Sequence, residues 1–180
     1  MSKNSFYFFL ILFLLNLGCK KSTEDAVQNV VNTSIDVSKY TSTDLVGNTN
    51  GPLDITDWTF DNLWSINELA LMQSPTTIQL ANTENGNVTL NPSYPNPFIE
   101  QFNLNFSTSK PALLQIVITD SLLNVKMRNF KTTNIGPNTI AILLSANDYI
   151  NNKNYRLYYG FYSSLGGLYF KGHGDLAIRR

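Results

Sequence analysis

The segment Gly172-His173-Gly174-Asp175 is the place where an acid–base group stands out most clearly in this chain, because His173 is its only histidine. A zinc site needs three or four histidine, cysteine or carboxylate ligands. A serine triad needs a presented nucleophile, and the sequence has no Gly-x-Ser-x-Gly elbow. Residues two apart on a strand face the same side, which favours a simple His173–Asp175 hydrogen bond. We therefore predict a structural turn or bulge in the last hairpin.

Three aspartates, Asp54, Asp57 and Asp61, lie close enough together to suggest a calcium loop. Calcium loops place acidic residues in a regular Asp-x-Asp-x-Asp-Gly series, which is missing here. Solvated loop residues or helix caps are the simpler interpretation. No glycine-rich phosphate loop occurs either. The sequence thus predicts no metal, no cofactor and no catalytic residue.

Tyrosines near the C-terminus offer another kind of chemistry. Tyr158, Tyr162 and Tyr169 could line a face on which sugar rings stack. Tyrosines on the outer face of an antiparallel sheet also commonly form cross-strand pairs. The sugar-stacking alternative corresponds to a hydrolase, or a hydrolase accessory protein, that contacts polysaccharide at the cell surface.

The N-terminus has the three parts of a secretory signal. Lys3 supplies a positive flank, residues 6–15 are continuously apolar, and Gly18 precedes Cys19, the only cysteine. The apolar run is shorter than the ~20 residues that a membrane-spanning helix needs. A cleavage site before a cysteine resembles the lipobox of bacterial lipoproteins, with a departure at Asn16. The resemblance implies that residues 1–18 are removed and that Cys19 is lipidated.

The resemblance also implies a location and leaves one alternative open. Polar residues 20–44 read as a tether, with lysines and a late acidic pair, Glu24-Asp25, similar to the surface-export signals of Bacteroidota-like lipoproteins. We expect anchoring to a bacterial outer membrane through Cys19, on either its periplasmic face or the cell surface. Equal numbers of basic and acidic side chains, 13 of each, argue against nucleic acid as a partner.

A helical extension is predicted over residues 53–73, at the start of a folded domain spanning 45–180. Ser65 and Glu68 have the spacing of a capping box. Trp64 and Leu69 have the spacing of the accompanying hydrophobic staple. We expect a short helix docked on the main domain, with an aromatic ligand platform as the alternative.

Beyond residue 76 the apolar period changes to two, as in Phe102, Leu104 and Phe106. This alternation is typical of strands with one buried face. Short strands separated by turn signals at this spacing favour an antiparallel β-sandwich. The predicted strands are 77–81, 87–91, 101–107, 113–120, 124–130, 138–145, 154–163 and 167–178.

The segment Tyr94-Pro95-Asn96-Pro97-Phe98, followed by an alternating strand, resembles two related groups. These are the immunoglobulin-like domains of the flagellar hook-capping type and the C-terminal sorting domains of type IX secretion cargo. The resemblance covers about residues 88–178 and implies an immunoglobulin-like sandwich. The prolines block ladder pairing and preset an extended entry to the next strand, while Phe98 plugs the end of the sandwich.

The sorting role is not carried over, since a lipid-anchored protein needs no second attachment route. Arg179-Arg180, which resembles the basic tail of sorting domains, is the feature that supports that role. The expected function is a lipid-anchored envelope module for binding or assembly, without catalysis. Its expected partners are the membrane and an envelope protein or glycan.

Overall fold

The computed structural model describes residues 34–73, 75, 80, 84–165 and 167–180. Within these residues seven antiparallel strands form two packed sheets, which confirms the predicted all-β antiparallel sandwich. One sheet has the order β1-β2-β5 and the other β4-β3-β6-β7. The strands are β1 (Val88–Tyr94), β2 (Gln101–Thr108), β3 (Ala112–Thr119), β4 (Val125–Thr133), β5 (Gly136–Leu143), β6 (Asn154–Tyr162) and β7 (Leu168–Ala177).

Period-two alternation placed these strands to within a few residues. Phe102, Leu104 and Phe106 of β2 are buried, as are the matching alternate residues of β3 and β6. Each fully buried large side chain stabilises the fold by about 1.5–3 kcal/mol. The predicted strand 77–81 lies outside the described residues except for Leu80.

The outer face of the four-stranded sheet is covered as well. Leu71, Val117 and Tyr158 form a second buried cluster, against which Ile35 and Trp64 pack. The covering chain is residues 34–73, which we call the N-terminal wrap. Because the wrap supplies a second apolar layer, this sheet is buried on both faces over much of β3 and β6.

Residues 34–44 belong to this wrap, which corrects the prediction of a tether reaching residue 44. Thr41, Ser42 and Thr43 are buried. Thr43 also forms bridges with Thr49 and Asn96. Polar composition suggested a linker, but the side chains and backbone of these residues are used in hydrogen bonds to the sandwich. The remaining tether residues and Cys19 lie outside the described residues.

The predicted helix is much shorter than 53–73. Helix α1 spans only Ile66–Leu69, and its Ser65/Glu68 capping box is present. Leu69 is 46% exposed, so the predicted staple is not supported, and Trp64 instead packs edge-on against Tyr158. Upstream of α1, the backbone N–H groups of Trp58 and Asp61 donate to β7 carbonyls, which excludes a helix there.

Candidate functional site

The Gly172-His173-Gly174-Asp175 segment lies inside β7 and not in a turn, which corrects the prediction. His173 and Asp175 share the outer face but do not bond to each other. The His173 Nδ1 lies 2.6 Å from Asp61 Oδ2. Asp175 accepts two hydrogen bonds of 2.7 Å from the Arg156 guanidinium. Both candidate groups are therefore engaged by other residues of the same chain.

The two glycines of this segment make room for the N-terminal wrap. Gly172 and Gly174 point to the inner face, where the Trp58 ring lies against Gly174 and the Thr59 carbonyl lies against Gly172. A Cβ atom at either position would overlap these groups. Trp58 is buried and stacks on Tyr159, whose hydroxyl donates to the Thr59 carbonyl. The segment 172–175, which suggests acid–base chemistry, therefore provides the space in which the Trp58 ring packs.

The three aspartates singled out for calcium take separate roles. Asp54 accepts from the Thr56 N–H and hydroxyl, and Asp61 accepts from the Trp64 indole. Asp57 is buried and is described below. In the described ranges, no group of three or more histidine, cysteine, aspartate or glutamate side chains is placed to hold a metal ion.

Asp57 is the buried member of this group. Its Oδ1 accepts from the Asp175 N–H at 2.9 Å, and its Oδ2 accepts from the Thr41 N–H at 2.8 Å. Burial, reinforced by the nearby Asp175 carboxylate, raises the pKa of Asp57 to about 6. Asp57 therefore joins the start of the wrap to the C-terminal half of β7 through a carboxylate whose charge is unfavourable.

This arrangement predicts a specific pH dependence of stability. The folded state binds the Asp57 proton more tightly than the unfolded state, so the stabilisation is complete below about pH 4 and is lost as the pH rises through about 6. The loss amounts to about 3 kcal/mol. Asp57→Asn cannot titrate, so its free energy of unfolding should decline less than that of wild type when urea unfolding is compared from pH 4 to 7.5. The remaining decline comes from Asp175, because burial raises the pKa of that carboxyl as well.

The matched control for that comparison is Asp148→Asn, since Asp148 is exposed. It should follow the wild-type pH profile. Identical pH profiles for wild type and Asp57→Asn would contradict the assignment of the titration to Asp57.

An open depression of about 460 Å³ surrounds the His173 ring. Its polar lining includes Asp54, Asp61, Glu68 and Arg156. These groups bond internally: Glu68 accepts from the Tyr158 hydroxyl, and Arg156 also donates to the Asp36 carbonyl. The Asp61–His173 pair could orient a base. The Thr56 hydroxyl, which a base could activate in this lining, already donates to Asp54. The depression thus offers a polar surface whose Thr56 hydroxyl, His173 imidazole and Arg156 guanidinium are already bonded to other residues of the chain.

The sugar-stacking face, the alternative interpretation of Tyr158, Tyr162 and Tyr169, is not exposed at two of its three residues. Tyr158 and Tyr162 are buried beneath the wrap, and their hydroxyls donate to Glu68 and Gln115. Tyr169 is half-buried and packs against the main core. The alternation of β6 does not predict this burial, because the covering layer comes from residues about 90 positions earlier in the sequence.

The segment 94–98, which we call the proline box, contains a residue whose role sequence reasoning missed. Asn96 is fully buried, and its amide donates to the carbonyls of Thr41 and Asp175 at 2.9 Å while accepting from the Ala177 N–H at 2.8 Å. Phe98 is buried against Phe102 as predicted. Both X–Pro bonds, at Pro95 and Pro97, are cis.

A groove of about 570 Å³ runs beside the proline box. It lies between the loop 95–101 and the hairpin formed around the Thr43–Thr49 bridge. Leu45 and Ile99 on its walls are largely exposed. The groove is mainly apolar and carries two acidic side chains, Asp44 and Glu100.

The basic C-terminus is bound to the domain itself. Arg180 donates to the carbonyls of Ile99, Leu144 and Tyr149. Arg179 donates to Asn154 and lies over the Tyr40 ring. These contacts give both arginines a structural role within the fold.

No protein family, curated protein or solved structure matches this chain. Among the described residues, the structure contains no helix with the length and hydrophobicity that a bilayer crossing requires.

Proposed function

We propose that this protein is a lipid-anchored module of the bacterial outer membrane that binds or assembles with an envelope partner and does not catalyse a reaction. The anchoring part is supported by the sequence of residues 3–19, whose resemblance to a lipobox makes Cys19 the attachment point. The sandwich then projects from either face of that membrane. The non-catalytic part is supported by the internal engagement of His173, Arg156 and Asp175.

The observation that carries a binding role is the exposed apolar surface of the wrap. Leu63 is 92% exposed, and Ile55 and Ile66 are each 82% exposed. Single exposed apolar residues are ordinary, but concentrations of them mark interaction sites. In this protein the exposed apolar residues lie along the wrap, and Trp58 and Glu68 fix the wrap to the sandwich. Such a surface favours a protein partner over a glycan.

The alternative, a polysaccharide-contacting hydrolase or accessory protein, depended on surface tyrosines. Since Tyr158 and Tyr162 are buried, the observation that supported it is gone. We therefore propose the binding role alone.

The test is capture of partners from detergent-solubilised envelope by the full-length protein. Wild type should be acylated, remain with the membrane and retain a reproducible envelope protein. Cys19→Ala should accumulate as an unprocessed precursor without lipid label. Leu63→Ser combined with Ile66→Ser should be acylated normally but lose most of the captured partner, about tenfold or more, because two exposed apolar contacts are removed.

The matched control is Leu122→Ser, which removes a 58% exposed leucine from the β3–β4 turn. It should capture the partner as wild type does. Wild-type acylation of Cys19→Ala would overturn the anchoring. Unchanged capture by the Leu63/Ile66 variant would overturn the binding surface, and a glycan hydrolysis lost on His173→Ala would overturn the non-catalytic role.

A further inference from the structure

The two sheets expose four strand edges, and three of them carry protection against pairing with another chain. Pro92 and a bulge between Asn91 and Tyr94 interrupt β1. The edge of β7 is covered by wrap residues 57–61. Strand β4 carries Lys126, Arg128 and Lys131. Proline, bulges, covering segments and lysines are the usual devices that keep edges from associating.

Strand β5 is the exception. Its sequence, Gly-Pro-Asn-Thr-Ile-Ala-Ile-Leu, has no charged residue, and its only proline is at the second position. No strand among the described residues pairs with its outer edge. Ala141 and Leu143 are exposed, with Leu143 at 70%. Apart from Pro137, this edge therefore has no bulge or charged residue of its own, and no described segment pairs with it.

The hydrogen-bond phase of β5 identifies which backbone groups face outward. Just beyond the paired residues, the Leu144 N–H donates to the carbonyl of Glu100, which precedes β2, and Gln101 of β2 is paired with Leu143. Inward and outward groups alternate along an antiparallel strand. The N–H and C=O groups of Thr139, Ala141 and Leu143 thus point away from the sheet and are available to a further strand.

We propose that this edge pairs with β5 of a second copy of the chain, antiparallel and centred on Ala141. In that register Ala141 lies opposite its own counterpart, and the outward groups of Thr139 and Leu143 meet each other. Residues 140 and 142 also exchange places, so Ile140 of each copy lies opposite Ile142 of the other. The strand is therefore complementary to itself, which is the requirement of a two-fold interface.

Side-chain chemistry favours this occupant over other strands. Ile142 is buried and Ile140 is half-buried on the inner face, so pairing joins two apolar inner faces through β-branched cross-strand contacts. The absence of charge removes like-charge repulsion between identical strands. Strand β4 could not pair with itself in the same way, since it would bring its own cations together. The result is a continuous six-stranded sheet across two copies.

The test uses the full chain purified in detergent, with its mass measured by sedimentation equilibrium. Wild type should reach a dimer in a concentration-dependent manner. Ala141→Lys and Ala141→Glu should each weaken dimerisation by about fivefold or more, because like charges then face each other at the two-fold axis. An equimolar mixture of the two variants should recover dimers, since Lys then faces Glu. Ala141 is exposed, so both variants should keep the wild-type circular dichroism spectrum.

Asn129→Lys on the exposed part of β4 is the matched control and should dimerise as wild type does. A wild-type protein that stays monomeric would overturn the proposal. So would a dimer insensitive to both Ala141 variants, a mixture that fails to recover, or a different protein bound along β5 in place of the second copy.

Discussion

Gly174→Ala is expected to lower the free energy of unfolding by about 3 kcal/mol or more, because the added methyl group would overlap the Trp58 ring. The surroundings cannot easily yield, since that ring is also stacked on Tyr159 and buried. Trp58 itself has a φ of 60°, an unusual value for a bulky residue. Such a conformation persists only when the packing around it fixes it. Urea unfolding of wild type and variant measures the effect.

A double-mutant cycle separates this overlap from a general effect of the substitution. Trp58→Ala alone should cost about 3–5 kcal/mol through the cavity it leaves. With that ring removed, Gly174→Ala should cost far less, so the two losses should not add. Gly167→Ala is the matched control, because nothing lies within 4 Å of a Cβ atom there. Additive losses at positions 58 and 174 would contradict the proposed fit.

The alternation of β2, β3 and β6 was readable from the sequence because it depends on neighbours in the chain. Phe102, Leu104 and Phe106 are buried as that alternation requires. The capping box of Ser65 and Glu68 was readable for the same reason, since its two hydrogen bonds join residues three apart. Local periodicity and local capping carry enough information to place such elements without knowledge of the fold.

Local sequence patterns do not predict that the N-terminal wrap covers the four-stranded sheet. The apolar content of residues 53–73 indicates a docked segment, but it does not predict that the backbone at Trp58 and Asp61 bonds to β7. His173 was assigned to a turn because two glycines flank it, yet those glycines face Trp58 and Thr59 from more than 110 residues earlier. No periodicity in the sequence encodes such a distant pairing. The same limit explains why Asp175 was matched with His173 and not with Arg156.

Asn96 shows this limit most clearly, because its contacts are with residues far away in the sequence. Its replacement is the second change for which we expect a large loss in the free energy of unfolding. The proline box was recognised by its prolines and Phe98, but its polar residue joins three distant segments. The Asn96 amide donates to carbonyls 55 and 79 residues away in the sequence, and its oxygen accepts from an N–H 81 residues away. Its own backbone also bonds in both directions with Thr43. One buried side chain therefore fixes the wrap, the box and the end of β7 together.

Asn96→Asp keeps the size of the side chain but removes its donors. At pH 7 the carboxylate can still accept from Ala177, while the Thr41 and Asp175 carbonyls lose their partner and face a buried negative charge. We expect a loss of about 3 kcal/mol or more in the free energy of unfolding. The loss should become smaller as the pH falls, because the protonated acid regains one donor.

Asn147→Asp provides the matched control, since Asn147 is exposed. It should change stability by about 0.5 kcal/mol or less. Urea unfolding at pH 7 and at pH 4.5 measures both variants. Equal losses for positions 96 and 147, or an Asn96→Asp loss that is the same at the two pH values, would show that the amide donors of Asn96 do not hold these segments together.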